Sequence, residues 1–151
     1  MSRNNQQKSL QNEFRGILKY WAVPFGCGFL FLFLMKYVFF VGYAQSASME
    51  PTIRENTIII GIRFIGEPVH GDVVIFKHFG KLLIKRISAL PGDAVIKGDE
   101  TLYVPDNCYY MLGDNTEASV DSRYWNEPFI KKINIIAKVR YPDIRYLHLY
   151  D

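Results

Sequence analysis

Cysteine is scarce in this sequence, since only two cysteines occur among its 151 residues. Cys27 lies in an apolar run, whereas Cys108 lies far downstream in a polar region, so their side chains should occupy different environments. We therefore expect no intramolecular disulfide. A chain of this length has room for one modest domain, and a second independent domain is not expected.

Acidic residues are nearly missing from the first nineteen positions, where Arg3, Lys8, Arg15 and Lys19 are accompanied by Glu13 alone. These residues supply the whole formal net charge of +3, and the remainder of the chain is balanced. We therefore expect no nucleic-acid partner. A basic cluster before an apolar run is instead typical of a membrane topology signal.

Charge is also scarce in residues 21–44, which read WAVPFGCGFLFLFLMKYVFFVGYA and contain one charged side chain, that of Lys36. At a rise of about 1.5 Å per residue, a helix of this length crosses a hydrocarbon core of about 30 Å. Lys36 precedes Ala44 by about two helical turns, so its ammonium group can extend to the outer interface. We predict a transmembrane anchor over residues 21–44.

The basic cluster also predicts the orientation of the chain. By the positive-inside bias, residues 1–20 form a cytoplasmic tail and residues 45–151 form an extracytoplasmic domain. A cleavable signal peptide is the alternative, since small residues follow the apolar run at positions 44–47. The run exceeds the usual signal core of about 7 to 15 residues, which favours an uncleaved anchor.

Long stretches with helical periodicity are missing after residue 44. Short runs rich in Ile, Val, Phe and Tyr occur there instead, separated by turn signals that contain Pro and Gly. We predict a mainly β fold, in which one transmembrane helix precedes a small all-β domain built as a barrel or a folded-over sheet. The predicted strands are residues 57–65, 73–77, 82–87, 109–112 and 135–141.

A serine follows the predicted anchor directly, within the run QSASMEPTI at residues 45–53. The small residues Ser46 and Ala47 leave the backbone open to an approaching chain, and Pro51 stiffens the segment after Ser48. Ser48 is therefore a candidate reactive group close to the bilayer surface. An ordinary surface loop is the alternative reading of this run.

A lysine occupies an apolar strand face further along the chain. Strand alternation places Lys85 on one face with Leu83 and Ile87. Poor solvation of the ammonium group lowers its pKa from about 10.4, so that the neutral amine forms at lower pH than in an exposed lysine. Such an amine can accept a proton from a serine hydroxyl, although an edge or snorkelling lysine is the alternative.

The segment GDNTEASVDSR at residues 113–123 is rich in side chains that hydrogen-bond their own backbone. Asp121 and Arg123 are candidates for a fixed ion pair. Ser119 is a candidate hydroxyl for orienting a lysine. A solvated loop without a chemical role is the alternative.

Four motifs follow one another between the predicted anchor and residue 123. They are SASMEPT (46–52), GDVVIFK (71–77), KRI with LPGD (85–87 and 90–93), and GDN (113–115) with Ser119, Asp121, Ser122 and Arg123. In this order and spacing the chain resembles the type I signal peptidases. The resemblance implies a serine endopeptidase that uses a Ser–Lys dyad without a catalytic histidine.

The resemblance implies a role for each matching position. Ser48 is the nucleophile, Lys85 the general base, Ser46 a side-chain donor to the oxyanion, and Ser119 the partner that orients Lys85. Asp114, Asp121 and Arg123 are structural supports. The chain departs from the family pattern at Thr116, where the family has Arg, and at Asn126, where the family has Gly.

The resemblance also implies the substrate, the partners and the location. A preprotein signal peptide binds in extended form along residues 44–46 and 82–84, and the enzyme cuts after small residues in an A-x-A pattern. No metal or cofactor is implied, and we expect a single-pass monomer in the lipid of the plasma or inner membrane. The walls of the pocket that admits small side chains are expected at Ala44, Met49, Ile53, Leu83 and Ile84.

Three other readings stay open at this point. A dedicated peptidase of the same superfamily, similar to those that mature pilin or conjugation components, would use the same dyad. A self-cleaving repressor-type Ser–Lys protein is less favoured, because those proteins are soluble and carry a DNA-binding domain. The third alternative is a catalytically silent, membrane-tethered β domain that binds secretory chains without cutting them.

Overall fold

The computed structural model describes residues 2–63 and 66–141, with side chains for residues 20–63 and 66–140. The chain divides into two compact units at Tyr37. The first unit is the helix α1 (Ser2–Tyr37), and the second, which we call the β unit, begins at Val38.

Helix α1 contains a segment, Tyr20–Tyr37, that is long and apolar enough by length and composition to cross a membrane. The helix ends seven positions before the predicted end of the anchor at Ala44, so this part of the prediction needs correction. Residues 39–43 form a strand instead. Their sequence FFVGY is aromatic and β-branched, and it pairs in antiparallel register with the isoleucine-rich strand Ile58–Ile62.

The described part of the β unit contains nine strands and two short 3₁₀ helices. The 3₁₀ helices are η1 (Ala47–Met49) and η2 (Lys132–Asn134). The strands are β1 (Phe39–Tyr43), β2 (Ile58–Ile62), β3 (Val73–His78), β4 (Lys81–Ala89), β5 (Ala94–Lys97), β6 (Glu100–Tyr103), β7 (Cys108–Leu112), β8 (Phe129–Lys131) and β9 (Ile135–Tyr141).

Seven strands form one antiparallel sheet in the order β1-β2-β9-β3-β4-β7-β8, and β5 pairs with β6 in a separate hairpin. The predicted fold class, a mainly β domain after one apolar helix, is confirmed. Of the two predicted forms the closed barrel is absent, because β1 and β8 lie at opposite edges of the sheet and the described strands do not pair across that gap. The five predicted strands are all present; the prediction missed β1, β5, β6 and β8.

The hairpin β3–β4 lies near the middle of the sheet and carries Lys85. Its turn is formed by Phe79 and Gly80, both with positive φ. The register pairs Val74 with Lys85 and Ile75 with Ile84. Successive β4 side chains therefore point to opposite faces, as predicted.

Hydrophobic clusters hold β3 from both faces. Val73 and Ile75 belong to one cluster, whereas Val74 and Phe76 belong to another, and all four side chains are buried. A strand buried on both faces gives its neighbour β4 a fixed position in the sheet. Trp125 packs in the second cluster, so its side chain belongs to the core.

Candidate active site

Ser48 lies in the short helix η1, directly after the edge strand β1. It is 7% exposed. The adjacent Met49 and the nearby Ile53 are buried in the core, and the N–H of Ile53 donates to the carbonyl of Met49 over 2.8 Å. Core packing of these apolar neighbours therefore fixes the turn that presents Ser48.

Two hydrogen bonds define the surroundings of Ser48. The hydroxyl of Ser46 donates to Ser48 Oγ, with 3.3 Å between the oxygens. The backbone N–H of Asn115 donates to the carbonyl of Ser48 over 3.1 Å. The segment after residue 112 is thus joined to the serine turn through the main chain.

Lys85 is 3% exposed, in the middle of β4. Burial lowers the pKa of its ammonium group below the ordinary value of 10.5, because a charge is poorly solvated there. The carboxylates of Asp121 and Asp114 act in the opposite direction, and Arg123 adds to the lowering. The net direction is downward, which is what a lysine needs in order to be deprotonated at lower pH.

Asp121 is fully buried and accepts hydrogen bonds from three residues of its own segment. The N–H of Gly113 and the hydroxyl of Ser119 donate to Oδ2 over 2.9 and 2.7 Å, and Arg123 forms an ion pair at 2.8 Å. Burial alone would raise the pKa of Asp121, but these hydrogen bonds lower it below the ordinary value. The carboxylate therefore stays ionised and holds the segment in one conformation.

Gly113 lies in direct contact with both serines of the site. A Cβ at this position would lie 2.1 Å from Ser119 Oγ and 2.5 Å from the carbonyl oxygen of Ser48. Only a residue without a side chain fits between these groups. Sequence reasoning quoted this glycine as part of a motif but did not find its contact role.

Arg86 forms a second ion pair at the site, which sequence reasoning missed. Its guanidinium group donates to both carboxylate oxygens of Asp114, over 2.8 and 2.6 Å, and to the carbonyl of Gly71 over 2.7 Å. It also lies 3.4 Å from the hydroxyl of Thr52. One side chain thus joins β4 to the segment after η1, to the start of β3 and to the loop after β7. The sequence signal that could have separated Arg86 from Lys85 was strand alternation, which places the two side chains on opposite faces of β4.

A cleft of about 790 Å³ contains the candidate residues. Ser46, Ser48 and Lys85 line it, and so do all five residues predicted for the substrate pocket. Ser119 is 3% exposed, whereas its neighbours Ala118 and Val120 both line the cleft. Gln45 and Leu82, which belong to the two segments predicted to flank the substrate, also line it. The remaining lining residues, which the sequence did not indicate, are Phe40, Gly42, Tyr43, Ile75, Lys81, Ala118 and Val120.

The hydrogen bonds of the described residues do not include one between Ser48 Oγ and Lys85 Nζ. Ser119 donates to Asp121 rather than to Lys85. The structure therefore places the candidate groups in one site without a direct bond between the proposed nucleophile and the proposed base.

Three further residues, Thr116, Asn126 and His78, do not line this cleft. The two departures from the family pattern, Thr116 and Asn126, are both exposed. His78 stacks on Phe79 and Trp125, with ring centroids 4.0 and 4.2 Å apart. Within the described residues no group of three or more His, Cys, Asp or Glu side chains is arranged to hold a metal ion.

Comparison with known proteins gives one family. The family described as "Signal peptidase, peptidase S26" matches residues 18–107 and 96–143. The probable signal peptidase I-2 of Synechocystis sp. is 32% identical over 130 residues, which cover 64% of this chain and 59% of the relative. Signal peptidase I S of Bacillus subtilis is 29% identical over 140 residues, which cover 68% of this chain and 76% of the relative.

The mitochondrial inner membrane protease subunit 1 of Mus musculus is 30% identical over 118 residues, covering 70% of this chain and 69% of the relative. The match covers 59% of the Synechocystis protein and 62% of signal peptidase I of Pseudomonas aeruginosa, so this chain spans about three fifths of the length of these two relatives. The family match covers the whole apolar segment Tyr20–Tyr37 and the whole of the described β unit. This chain belongs to the signal peptidase, peptidase S26 family.

Proposed function

We propose that this chain is a membrane-bound serine endopeptidase of the signal peptidase I type, which removes signal peptides from exported proteins after small residues. The observation that supports this most is a buried lysine with a lowered pKa that shares one cleft with a buried serine. A titratable group with a perturbed pKa beside a hydroxyl in a cleft is typical of a catalytic site.

Ser48 is the nucleophile in this proposal, and Lys85 is the general base. The neutral amine of Lys85 takes the proton of the Ser48 hydroxyl as Oγ attacks the scissile carbonyl. The resulting ammonium group then gives the proton to the leaving amine. Water hydrolyses the acyl-enzyme, with Lys85 again accepting a proton. The lowered pKa favours the neutral form that both steps need.

Ser46 and the backbone N–H of Ser48 stabilise the oxyanion. The Ser46 hydroxyl already lies 3.3 Å from Ser48 Oγ, so a small rotation directs it at an oxygen bonded to the same carbon as Oγ. Donors that are in place before charge develops stabilise the transition state, and the loss of one typically costs about 100- to 1,000-fold in rate.

Ser119 orients Lys85 by accepting a hydrogen bond from its amine. Its hydroxyl proton is directed to Asp121, so toward Lys85 the oxygen of Ser119 can act only as an acceptor. Accepting one N–H of the amine would leave the nitrogen lone pair for the proton of Ser48. The ion pair between Asp121 and Arg123 keeps the Ser119 hydroxyl in this orientation.

The substrate lies in the cleft in extended form, with its backbone beside residues 44–46 and 82–84. Both segments line the cleft. The small side chain of Ala44 and the larger ones of Met49, Ile53, Leu83 and Ile84 leave room for small substrate side chains only. A signal peptide with an A-x-A site has the required pattern.

Helix α1 is the single-pass anchor in this proposal, with its N-terminus in the cytoplasm and the β unit outside the plasma or inner membrane. The apolar segment Tyr20–Tyr37 and the basic residues that precede it support this orientation. Enzyme and preprotein are then concentrated in one lipid plane, so that weak recognition suffices for a monomer. The catalytic residues require no cofactor.

A cleavage assay with full-length protein in detergent tests the proposal. The substrate is a preprotein with an A-x-A site, and mass spectrometry of the product identifies the new N-terminus. We expect cleavage directly after the small residue, and loss of cleavage in Ser48→Ala and in Lys85→Ala.

Matched controls are Ser88→Ala, a partly buried serine of the same strand as Lys85, and Lys77→Ala, an exposed lysine of β3. Both should keep wild-type activity. A folded wild type that leaves the preprotein intact contradicts the general assignment and leaves a dedicated substrate or a silent binding domain as the explanation. Cleavage that survives Ser48→Ala contradicts the dyad.

A further inference from the structure

Val120 differs from its two neighbours in the loop after β7. It is 68% exposed, whereas Ser119 and Asp121 are 3% and 0% exposed. Both neighbours point inward, and Ser119 donates its hydroxyl to Asp121 over 2.7 Å. The Val120 side chain therefore points outward from a segment that is fixed on both sides, and it lines the active-site cleft.

The hydrogen bonds around Asp121 make this outward position rigid. Arg123 and the N–H of Gly113 hold the carboxylate, and Gly113 packs against Ser119. An isolated exposed valine is ordinary on a protein surface. An exposed valine on a rigid wall of a catalytic cleft is positioned to contact a substrate chain that binds along that wall.

Val120 lies at the catalytic end of the cleft. The register pairs Leu112 with Arg86, which places the following Gly113 beside the Lys85 position of β4. Gly113 contacts both the Ser48 carbonyl and Ser119. Val120 is thus at the Lys85 end of the part of β4 that lines the cleft, and Lys81 is at the other end.

A direction for the substrate follows from this placement. In the proposed function the part of the substrate before the scissile bond lies along residues 82–84, toward the Lys81 end. A chain that crosses Ser48 must continue past the opposite end of the cleft. We propose that Val120 contacts the first residues after the scissile bond and selects for uncharged side chains there; this inference rests on the proposed function.

The charged side chains that line the cleft indicate which substrate residues should be favoured beside Val120. Among the described residues that line it, the charged side chains are Lys81 and Lys85, and none is acidic. A basic substrate residue beside Val120 would therefore lose solvent against the valine methyl groups without gaining an opposite charge. Uncharged residues should be favoured at this position, and acidic residues should be tolerated better than basic ones.

Two charge variants test the role of Val120. Three preprotein peptides, which carry Glu, Gln or Lys directly after the scissile bond, are cleaved by wild type, Val120→Lys and Val120→Asp. The readout is the ratio of kcat/KM for the Glu peptide to that for the Lys peptide. The ratio should rise about two- to fivefold in Val120→Lys and fall by a similar factor in Val120→Asp, since exposed charge pairs have effects of this size.

The matched control is Ile133→Lys, a change at an 87% exposed position of η2 that does not line the cleft. Its ratio should equal that of the wild type. A second peptide set carries the charge five residues before the bond and should not respond to Val120. The inference is wrong if the first ratio stays constant in both Val120 variants, or if only the second set responds.

A labelling experiment separates failure of this inference from failure of the proposed function. In a Ser48→Ala background, the thiolate of Val120→Cys displaces bromide from a bromoacetyl group carried by the second residue after the bond. The thioether should form faster than in Ile133→Cys, where Cys27 and Cys108 give the same background. Equal labelling rates overturn the contact, whatever the cleavage assay shows.

Discussion

Two adjacent residues of β4 carry positive side chains in opposite surroundings. Lys85 is 3% exposed, and burial lowers the pKa of its ammonium group. Arg86 lies on the other face of the strand and donates to Asp114 and to the carbonyl of Gly71. One cation is poorly stabilised, and its neighbour is fully paired.

This difference in surroundings matches a difference in chemistry between the two side chains. A lysine can lose its proton when its charge is disfavoured, whereas a guanidinium group stays charged under all ordinary conditions. The lysine therefore suits proton transfer, and the arginine suits a permanent link between segments. Strand alternation lets one dipeptide supply both functions, because neighbouring side chains face opposite sides.

The largest effect is expected when Lys85 is replaced by a cation that, like Arg86, cannot lose its proton. Lys85→Arg keeps a positive charge on the same face but replaces a group that can be deprotonated with one that cannot. We expect kcat/KM to fall about 100- to 10,000-fold, the usual contribution of a general base. Cleavage of an A-x-A preprotein measures this, with Lys77→Arg as the control; a fall below tenfold would argue against Lys85 as the base.

The next largest effect is expected at Gly113, which keeps the serine turn in contact with Ser119. In Gly113→Ala the new Cβ meets a backbone oxygen at 2.5 Å, so Ser48 must move. A displacement near 1 Å at a catalytic group costs about 100-fold in rate. Gly28→Ala is the control, because nothing lies within 4 Å of its Cβ position and its φ is not positive. Wild-type kinetics in Gly113→Ala would contradict the contact.

Removal of the arginine support should affect stability more than a surface ion pair does. Arg86→Met leaves the Asp114 carboxylate, whose side chain is 14% exposed, without its partner. We expect a loss of about 1–3 kcal/mol in the free energy of unfolding. The comparison is Lys132→Met, which breaks a pair with the 80% exposed Glu67 and should cost less, because water screens the charges of an exposed pair. Denaturant titration in detergent measures both, and equal costs would contradict the prediction.

The smallest effect is a pH dependence of stability that Lys85 contributes. Because its pKa is lower in the folded chain than the ordinary 10.5, the unfolded chain binds more protons between these two values. The free energy of unfolding should therefore rise with pH through that window, and the penalty is fully present below it. Lys85→Met should flatten this part of the profile and be no less stable than wild type near neutral pH. An unchanged slope in thermal unfolding in detergent would show that other groups cause it.

Much of the candidate site was predictable because its signals are local. The faces of β4 follow from alternation, so the burial of Lys85 opposite Arg86 could be read from residues 82–87. The composition of residues 113–123 indicated a structured segment, and Arg123 does pair with Asp121. The end of the anchor was wrong by seven positions, since an apolar run of this kind fits a helix or a buried strand equally well until a partner strand is known.

Long-range contacts were beyond prediction for a physical reason. The Asn115 N–H that binds the Ser48 carbonyl and the cleft position of Val120 depend on how segments some seventy residues apart pack together. The residue pattern of either segment does not show which other segment it contacts. The same holds for the partners of Arg86, whose charge the sequence showed and whose three acceptors it did not.

The sequence by itself determined the apolar N-terminal helix, the β character of the rest, and the residue types and order of the four motifs, because these depend on local patterning and composition. The tertiary structure decided which of these residues meet. It placed Ser48 and Lys85 in one cleft, ended the helix at Tyr37 and left the sheet open, because strand pairing and core packing are contacts between distant segments.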